Sequence, residues 1–289
     1  MKDLKELFQA VHEVDNLSDL LNLAKQFPKT LLDNTARLVR DDQLFGFIAK
    51  SKSNANEIFV VLRGTREQAE WFNNFRPVPK IFLEEQKNKF GDLGEVRNGF
   101  NRIYSEKREG SKKPTIKETI TKLFENQQDL LTDGCKVFVS GHSLGAGLAT
   151  LAALHIGKIA DIKGVKTSIN LYTFASPRVG DETFAKKFDE LSTSKLNALQ
   201  CYRIINSEDL IQAVPFPTTQ VVDDAIFDGM NPAKKARTLW ARGLLETITN
   251  GQSTKHYQHV GIPVTFTKQK GTISGNHNLT NTYRKALNK

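Results

Sequence analysis

Apolar residues recur along this chain with two different periods, and the alternation between them sets the first expectation about the fold. Near the start, Leu4, Leu7, Phe8, Val11 and Val14 fall at helical spacing, and a second helix is expected from Ser18 to just before Pro28. Residues 1–43 are therefore read as N-terminal packing helices. Short runs rich in Val, Ile, Leu and Phe follow at 44–49, 58–63, 136–140, 168–175, 200–206 and 257–266, each of strand length. Between them lie helical patterns: Ile116, Ile120, Leu123, Phe124, Gln127 and Leu130 after Pro114, then the stretch after Ser143, then 181–191. Strands alternating with helices predict a mostly parallel, doubly wound α/β sheet with helices on both faces. The chain shows no internal repeat or low-complexity tract and reads as a single domain over 1–289.

Two segments depart from this rhythm. Trp71, Phe72, Phe75, Val78, Ile81 and Phe82 concentrate apolar surface in a connection between strands, so residues 66–83 are read as a lid, with Trp71, Phe72 and Phe75 facing the site it covers. Farther on, Asn231 and Pro232 make a cap and first turn, and Asn250 and Gly251 a stop. The helix between them carries a stripe of Ala236, Leu239, Trp240, Gly243, Leu244 and Ile248, with Lys234, Lys235, Arg237 and Arg242 mostly elsewhere. Residues 223–255 are read as a helical insert laid over the domain, with an interfacial helix on anionic lipid as the alternative.

Composition narrows the function classes. With 39% hydrophobic and 25% charged residues the chain is that of an ordinary globular protein, and its apolar stretches fall well short of the roughly 20 residues that span a bilayer. The charge-alternating start Met1, Lys2, Asp3 lacks the apolar core of a signal peptide, so the expected location is the cytoplasm, or export without such a signal. The net charge of +9 comes from Lys and Arg dispersed among many acids, so no nucleic-acid partner is expected. Cys135 and Cys201 each look like the start of a core strand, with one strand between them. Two strand spacings, about 9.6 Å, exceed disulfide reach, and both are expected to be free thiols.

The chemistry centres on Val137, Phe138, Val139, Ser140, Gly141, His142, Ser143, Leu144 and Gly145, an apolar strand running into a GxSxG turn with Ala and Leu at helical spacing after it. This is the pattern of an α/β-hydrolase nucleophile elbow, in which Ser143 sits on a tight turn and the flanking glycines avoid clashes that a Cβ would cause. A serine hydroxyl needs a general base, and the base an orienting acid, in the chain order Ser, acid, His. Asp209 fits the acid, in a turn after the strand ending at Asn206; Asp181 is the rival. His256, His259 and His277 follow it. His259 lies within the expected strand, where a histidine is more often packed than catalytic. His277 follows Gly275 and Asn276 in a polar loop from which a side chain can reach across the sheet ends, and is preferred. For the oxyanion, the backbone of Leu144 supplies one donor and that of Thr65, in the turn leaving the strand 58–63, a second.

These residues carry a resemblance to the class 3 lipases, filamentous-fungal lipase-like hydrolases, from about residue 44 to the C-terminus. Gly46, Phe47, Ile48, Ala49; Arg63, Gly64, Thr65 with Trp71; Gly141 to Gly145; and Thr173 to Gly180 resemble family blocks in the family's order. So do Arg203, Ile204, Ile205, Asn206 with Asp209, Val214 and Pro215, and then Tyr257 to Gly261. The resemblance implies Ser143 as nucleophile, Asp209 as acid, Thr65 as an oxyanion residue and a lid after Thr65. It agrees on His277, which precedes an aromatic residue and a terminal helix, here Tyr283 and Ala286, Leu287. Two departures stand out: Val96, Arg97, Asn98, Gly99, Phe100 has arginine where the family commonly has histidine, and Gly145, Ala146, Gly147 stands where two adjacent glycines are usual. The implied reaction is hydrolysis of lipid esters, acylglycerols first, with a phospholipase A1, galactolipase or short-chain esterase as alternatives and a non-catalytic binding scaffold as a distant one. It calls for no metal or cofactor; the expected partners are the lipid ester and transiently a lipid interface, with no protein partner inferable.

Overall fold

The alternation read from the sequence becomes one sheet and the helices packed on it. A computed structural model describes residues 37–40, 43–51, 54–64, 79–107, 109–126, 130–193, 197–213 and 257–287. In chain order these hold β1 (Arg37–Arg40), β2 (Gln43–Lys50), β3 (Glu57–Leu62), β4 (Pro79–Ile81), β5 (Glu95–Arg97), β6 (Cys135–His142), β7 (Thr167–Phe174), β8 (Asn197–Asn206) and β9 (Ile262–Phe266). The main sheet runs β1-β2-β3-β6-β7-β8-β9, and β4 and β5 form a separate antiparallel ribbon. Pairing is antiparallel from β1 to β3 and parallel from β3 to β9. The parallel strands therefore all deliver their C-terminal ends to one edge of the sheet, where this kind of fold places its ligand.

Four helices, α1 (Asn98–Ser105), α2 (Ile116–Asn126), α3 (Leu144–Lys163) and α4 (Glu182–Ser192), complete the main core. Nearly every residue of α3 from Leu144 to Ala160 is buried, as a helix apolar on all sides requires. Its Ala and Gly positions let it lie close on β6 and β7, with α2 packed against it and reaching β1. Val60, Val137, Val139, Ile169 and Leu171 meet these helices on one face of the sheet. On the other face Phe59 and Phe138 stack at 5.2 Å, and Phe174 and Ile204 pack with Tyr283. Tyr283 belongs to a π-helical turn, Leu279–Arg284, near the end of the chain.

Several expectations are corrected. Residues 37–40, read as part of the N-terminal helices, form an edge strand whose Leu38 is fully buried; four residues are too few for a period of two to announce itself. The apolar run 257–266 is a strand only from Ile262. The chain turns at Gly261, where φ is +85° and a Cβ would come within 2.3 Å of Cys201 Sγ, so the preceding residues form a loop whose Gln258 bridges to Gly180. The end of the expected lid is core: Ile81 closes β4, while Phe82 and Leu83 are buried, the Phe82 ring edge-on to Phe184 at 5.8 Å. Both cysteines are free and buried with β7 between their strands, although Cys201 lies midway along β8 and does not begin it. The expected helices of residues 1–36 and the insert 223–255 lie outside the described residues.

Candidate active site

The turn between β6 and α3 holds one of three non-glycine residues with positive φ among the described residues. Ser143 adopts φ 57°, ψ −122°, a conformation an L-residue holds only at a cost, and its N–H donates to Phe174 O at 2.9 Å. A Cβ at Gly141 would lie 2.1 Å from Gly145 O, and one at Gly145 2.3 Å from Leu62 O, so both flanking glycines are needed for β6 to turn into α3 beside β3. Ser143 is thereby held at the sheet's C-terminal edge, 2% exposed, its Oγ without a hydrogen-bond partner among the described residues. Leu144 opens α3, where helix N–H groups have no intrahelical acceptor and can serve an anion. Gly64 leaves β3 against this turn: a Cβ there would lie 3.6 Å from Ser143 Cβ. Thr65, the next residue, lies outside the described residues, as do Trp71, Phe72 and Phe75.

Asp209 follows the end of β8 and is 1% exposed. Its Oδ2 accepts from His277 Nδ1 at 2.7 Å and from Tyr283 Oη at 2.6 Å, and its Oδ1 accepts from the Ile211 N–H at 3.0 Å. Burial alone would raise its pKa, but the nearby imidazole and these three donors outweigh burial and hold the carboxyl below its ordinary value. Because a carboxylate only accepts, Nδ1 of His277 carries the proton and Nε2 is left to act as a base. The same aspartate raises the Tyr283 hydroxyl well above the usual phenol range, after burial, so that group stays a donor. His277 lies against the residue before the nucleophile: its ring centroid is 4.7 Å from that of His142, and His142 Nε2 donates to His277 O at 3.0 Å. Burial, and then the charge of His277, push His142 down to about 3, so it is a neutral ring holding the loop.

Two of the rivals have other surroundings, and the third, His256, lies outside the described residues. Asp181 caps α4, its Oδ1 accepting from Phe184 N at 2.8 Å. His259 sits in the loop before Gly261, not in a strand; burial and the guanidinium charges of Arg203 and Arg178 push it down to about 3. The two departures noted in the sequence are packing features. Arg97 is fully buried with its guanidinium 5.6 Å from the Phe100 ring, and a Cβ at Gly147 would meet that ring at 2.7 Å. Sequence reasoning assigned no role to Tyr283, Asn206 or His142. Asn206 and His142 stand inside the quoted blocks and Tyr283 is the aromatic residue after His277, but only their contacts distinguish them from core residues.

Comparison with known proteins follows the same lines. A family model described as lipase (class 3) matches residues 59–219. Phospholipase A1-II 3 of Oryza sativa subsp. japonica is 30% identical over 179 residues, covering 57% of this chain and 40% of that protein. Phospholipase A1-II 7 of Oryza sativa subsp. indica is 27% identical over 239 residues, covering 75% and 56%. The chain thus spans 40% and 56% of the length of these curated relatives. Among solved structures, an M37 lipase aligns with TM-score 0.55 at 16% identity over 90% of this chain and 83% of that one. The Rhizomucor miehei triacylglyceride lipase aligns with TM-score 0.50 at 20% identity over 73% and 72%. These likenesses show the fold, that of the α/β-hydrolases.

Proposed function

Because this chain belongs to the class 3 lipase family, we propose that it hydrolyses carboxylic esters of lipids, with Ser143 as nucleophile, His277 as general base and Asp209 as the acid that orients it. The observation that carries the reading is the His277–Asp209 pair at 2.7 Å, brought alongside a strained Ser143 elbow. His277 Nε2 takes the hydroxyl proton as Ser143 Oγ attacks the ester carbonyl. The oxyanion rests on the backbone N–H groups of Leu144 and Thr65. Collapse breaks the bond to the alcohol, which leaves with the proton from His277, and an acyl-Ser143 remains. Water then adds to the acyl carbonyl, giving its proton to His277; the carboxylic acid departs and the proton returns to Ser143 Oγ.

On substrate, the name shared by the curated relatives favours a phospholipid cleaved at one acyl ester over an acylglycerol. Both need the same triad, and the choice depends on the surfaces that receive the acyl chain and headgroup. Turnover is expected to rise when an emulsified ester passes its solubility limit, the response of a site that receives its acyl chain at a lipid interface. The test is hydrolysis of short and long acyl esters, acylglycerols, phospholipids and galactolipids by the wild type and Ser143→Ala. Turnover by the Ser143→Ala variant within tenfold of wild type would reject the assignment, since losing a triad member costs several orders of magnitude.

A further inference from the structure

We propose that Asn206 is a positioning residue for this triad, holding the loop that carries the base to the turn that carries the acid; the inference rests on the catalytic reading above. Asn206 is the last residue of β8 and is fully buried. Its Nδ2 donates to the carbonyls of Lys268 and Asn276, each at 3.0 Å. Its Oδ1 accepts from the N–H groups of Lys268 at 2.8 Å and Glu208 at 3.4 Å. Both donors and both lone pairs of one side-chain amide are used, which no other side chain of this size can reproduce. Asn276 answers from the other side: its Nδ2 donates to Glu208 O at 2.8 Å and its Oδ1 accepts from Lys270 N at 2.7 Å. Each asparagine therefore grips the backbone next to the other's catalytic neighbour, Asn206 the carbonyl before His277 and Asn276 the carbonyl before Asp209.

The clasp completes a three-way anchorage of the base. Three successive carbonyls of that loop accept from three different elements. Gly275 O accepts from Thr282 Oγ1 at 2.6 Å, Asn276 O from Asn206, and His277 O from His142 at 3.0 Å. The segment has only the short helical turn Ile273–Asn276 for backbone support, so these side-chain bonds add what sets the His277 ring relative to Ser143. Asn206 also ties down the acid directly, since its own carbonyl accepts the Asp209 N–H at 2.9 Å. A displacement of about 1 Å at the base is enough to cost roughly 10²-fold in rate.

The experiment is Asn206→Asp in the full chain, which keeps the shape and the acceptors and removes the two donors. With kcat taken per site titrated by a fluorophosphonate, turnover of a soluble p-nitrophenyl ester is expected to fall about 10²-fold. KM should stay within about threefold of wild type, since the substrate-binding surface is untouched. The far-downfield proton resonance of the His277–Asp209 bond should broaden or vanish while the backbone amide spectrum remains that of a folded protein. Asn276→Asp loosens the same junction from the other side and is expected to give the same split, which keeps the idea testable if Asn206→Asp does not fold. A folded variant with kcat per site within twofold of wild type overturns the inference. A wild type that takes no label at Ser143 and turns over no ester overturns the catalytic reading and this inference with it, a result distinct from a labelled wild type and an indifferent Asn206→Asp.

Discussion

Replacing Asp209 with Asn exchanges one oxygen for an NH2 group and reverses the hydrogen-bond polarity on one side of the carboxyl. In the native site Oδ2 faces two donors, His277 Nδ1 and Tyr283 Oη, and Oδ1 faces one, the Ile211 N–H. The amide can take two orientations. With its oxygen toward His277 and Tyr283, the NH2 confronts the Ile211 N–H donor to donor and leaves that amide unsatisfied. With its oxygen toward Ile211, the NH2 donates both protons, one to Tyr283 Oη and one to an Nδ1 that has lost its own. The second arrangement leaves one buried donor short, the Tyr283 hydroxyl proton, where the first strands both the Ile211 N–H and the NH2, so the second should win. All three charge-assisted bonds then become neutral or are lost, at roughly 1–1.5 kcal/mol each, so stability falls by about 3–4.5 kcal/mol. His277 is left with its proton on Nε2, facing Ser143 in the tautomer that cannot accept the hydroxyl proton. By analogy with an orienting acid in other serine hydrolases, kcat should fall about 10⁴-fold with the fold retained. The assay is turnover of a soluble short-chain ester per titratable serine, with urea unfolding run in parallel. A folded Asp209→Asn protein within tenfold of wild-type kcat would refute the tautomer argument and the role of Asp209.

Other consequences are as direct. His277→Ala should lose nearly as much activity as Ser143→Ala, and the double variant scarcely more than either, while His259→Ala keeps most of it; the reverse pattern in folded proteins would move the base to His259. The Asp209 carboxyl has a folded pKa below its unfolded value, so its ionisation stabilises the fold fully above about pH 4 and less as pH falls through the lower folded value. The stability gap between wild type and Asp209→Asn in urea should therefore narrow from pH 7 toward pH 3, and a gap that stays constant would contradict the assigned shift. Gly147→Val drives a side chain into the buried Phe100 ring and should destabilise by about 1–3 kcal/mol; an unchanged melting temperature would show that α1 and α3 separate freely.

What could be read in advance was local. The elbow declares itself within nine residues, because a buried strand, two glycines and an Ala-rich helix suffice to define a turn in which only Ser143 carries a side chain at the strained position. The parallel sheet followed from strand and helix periods, while chain order and turn chemistry singled out Asp209 and His277 as candidates, which the structure brings within 2.7 Å of each other. The strand read through Gly261 failed because an apolar run cannot show that its middle residue has positive φ against Cys201; that depends on β8, sixty residues away. Phe82 counted toward a lid for a similar reason, since apolar density does not say whether a side chain covers a site or fills the core. His142 and His277 are 135 positions apart, Asn206 and Asn276 are 70, and Asp209 and Tyr283 are 74, so no window of sequence holds either end of these bonds together with the other. Periodicity and turn chemistry act over about ten residues and determine what each element is. Which polar groups meet at the sheet's C-terminal edge is decided only when packing brings the ends of β6 and β8 and the His277 loop to one place, where each buried donor must find an acceptor.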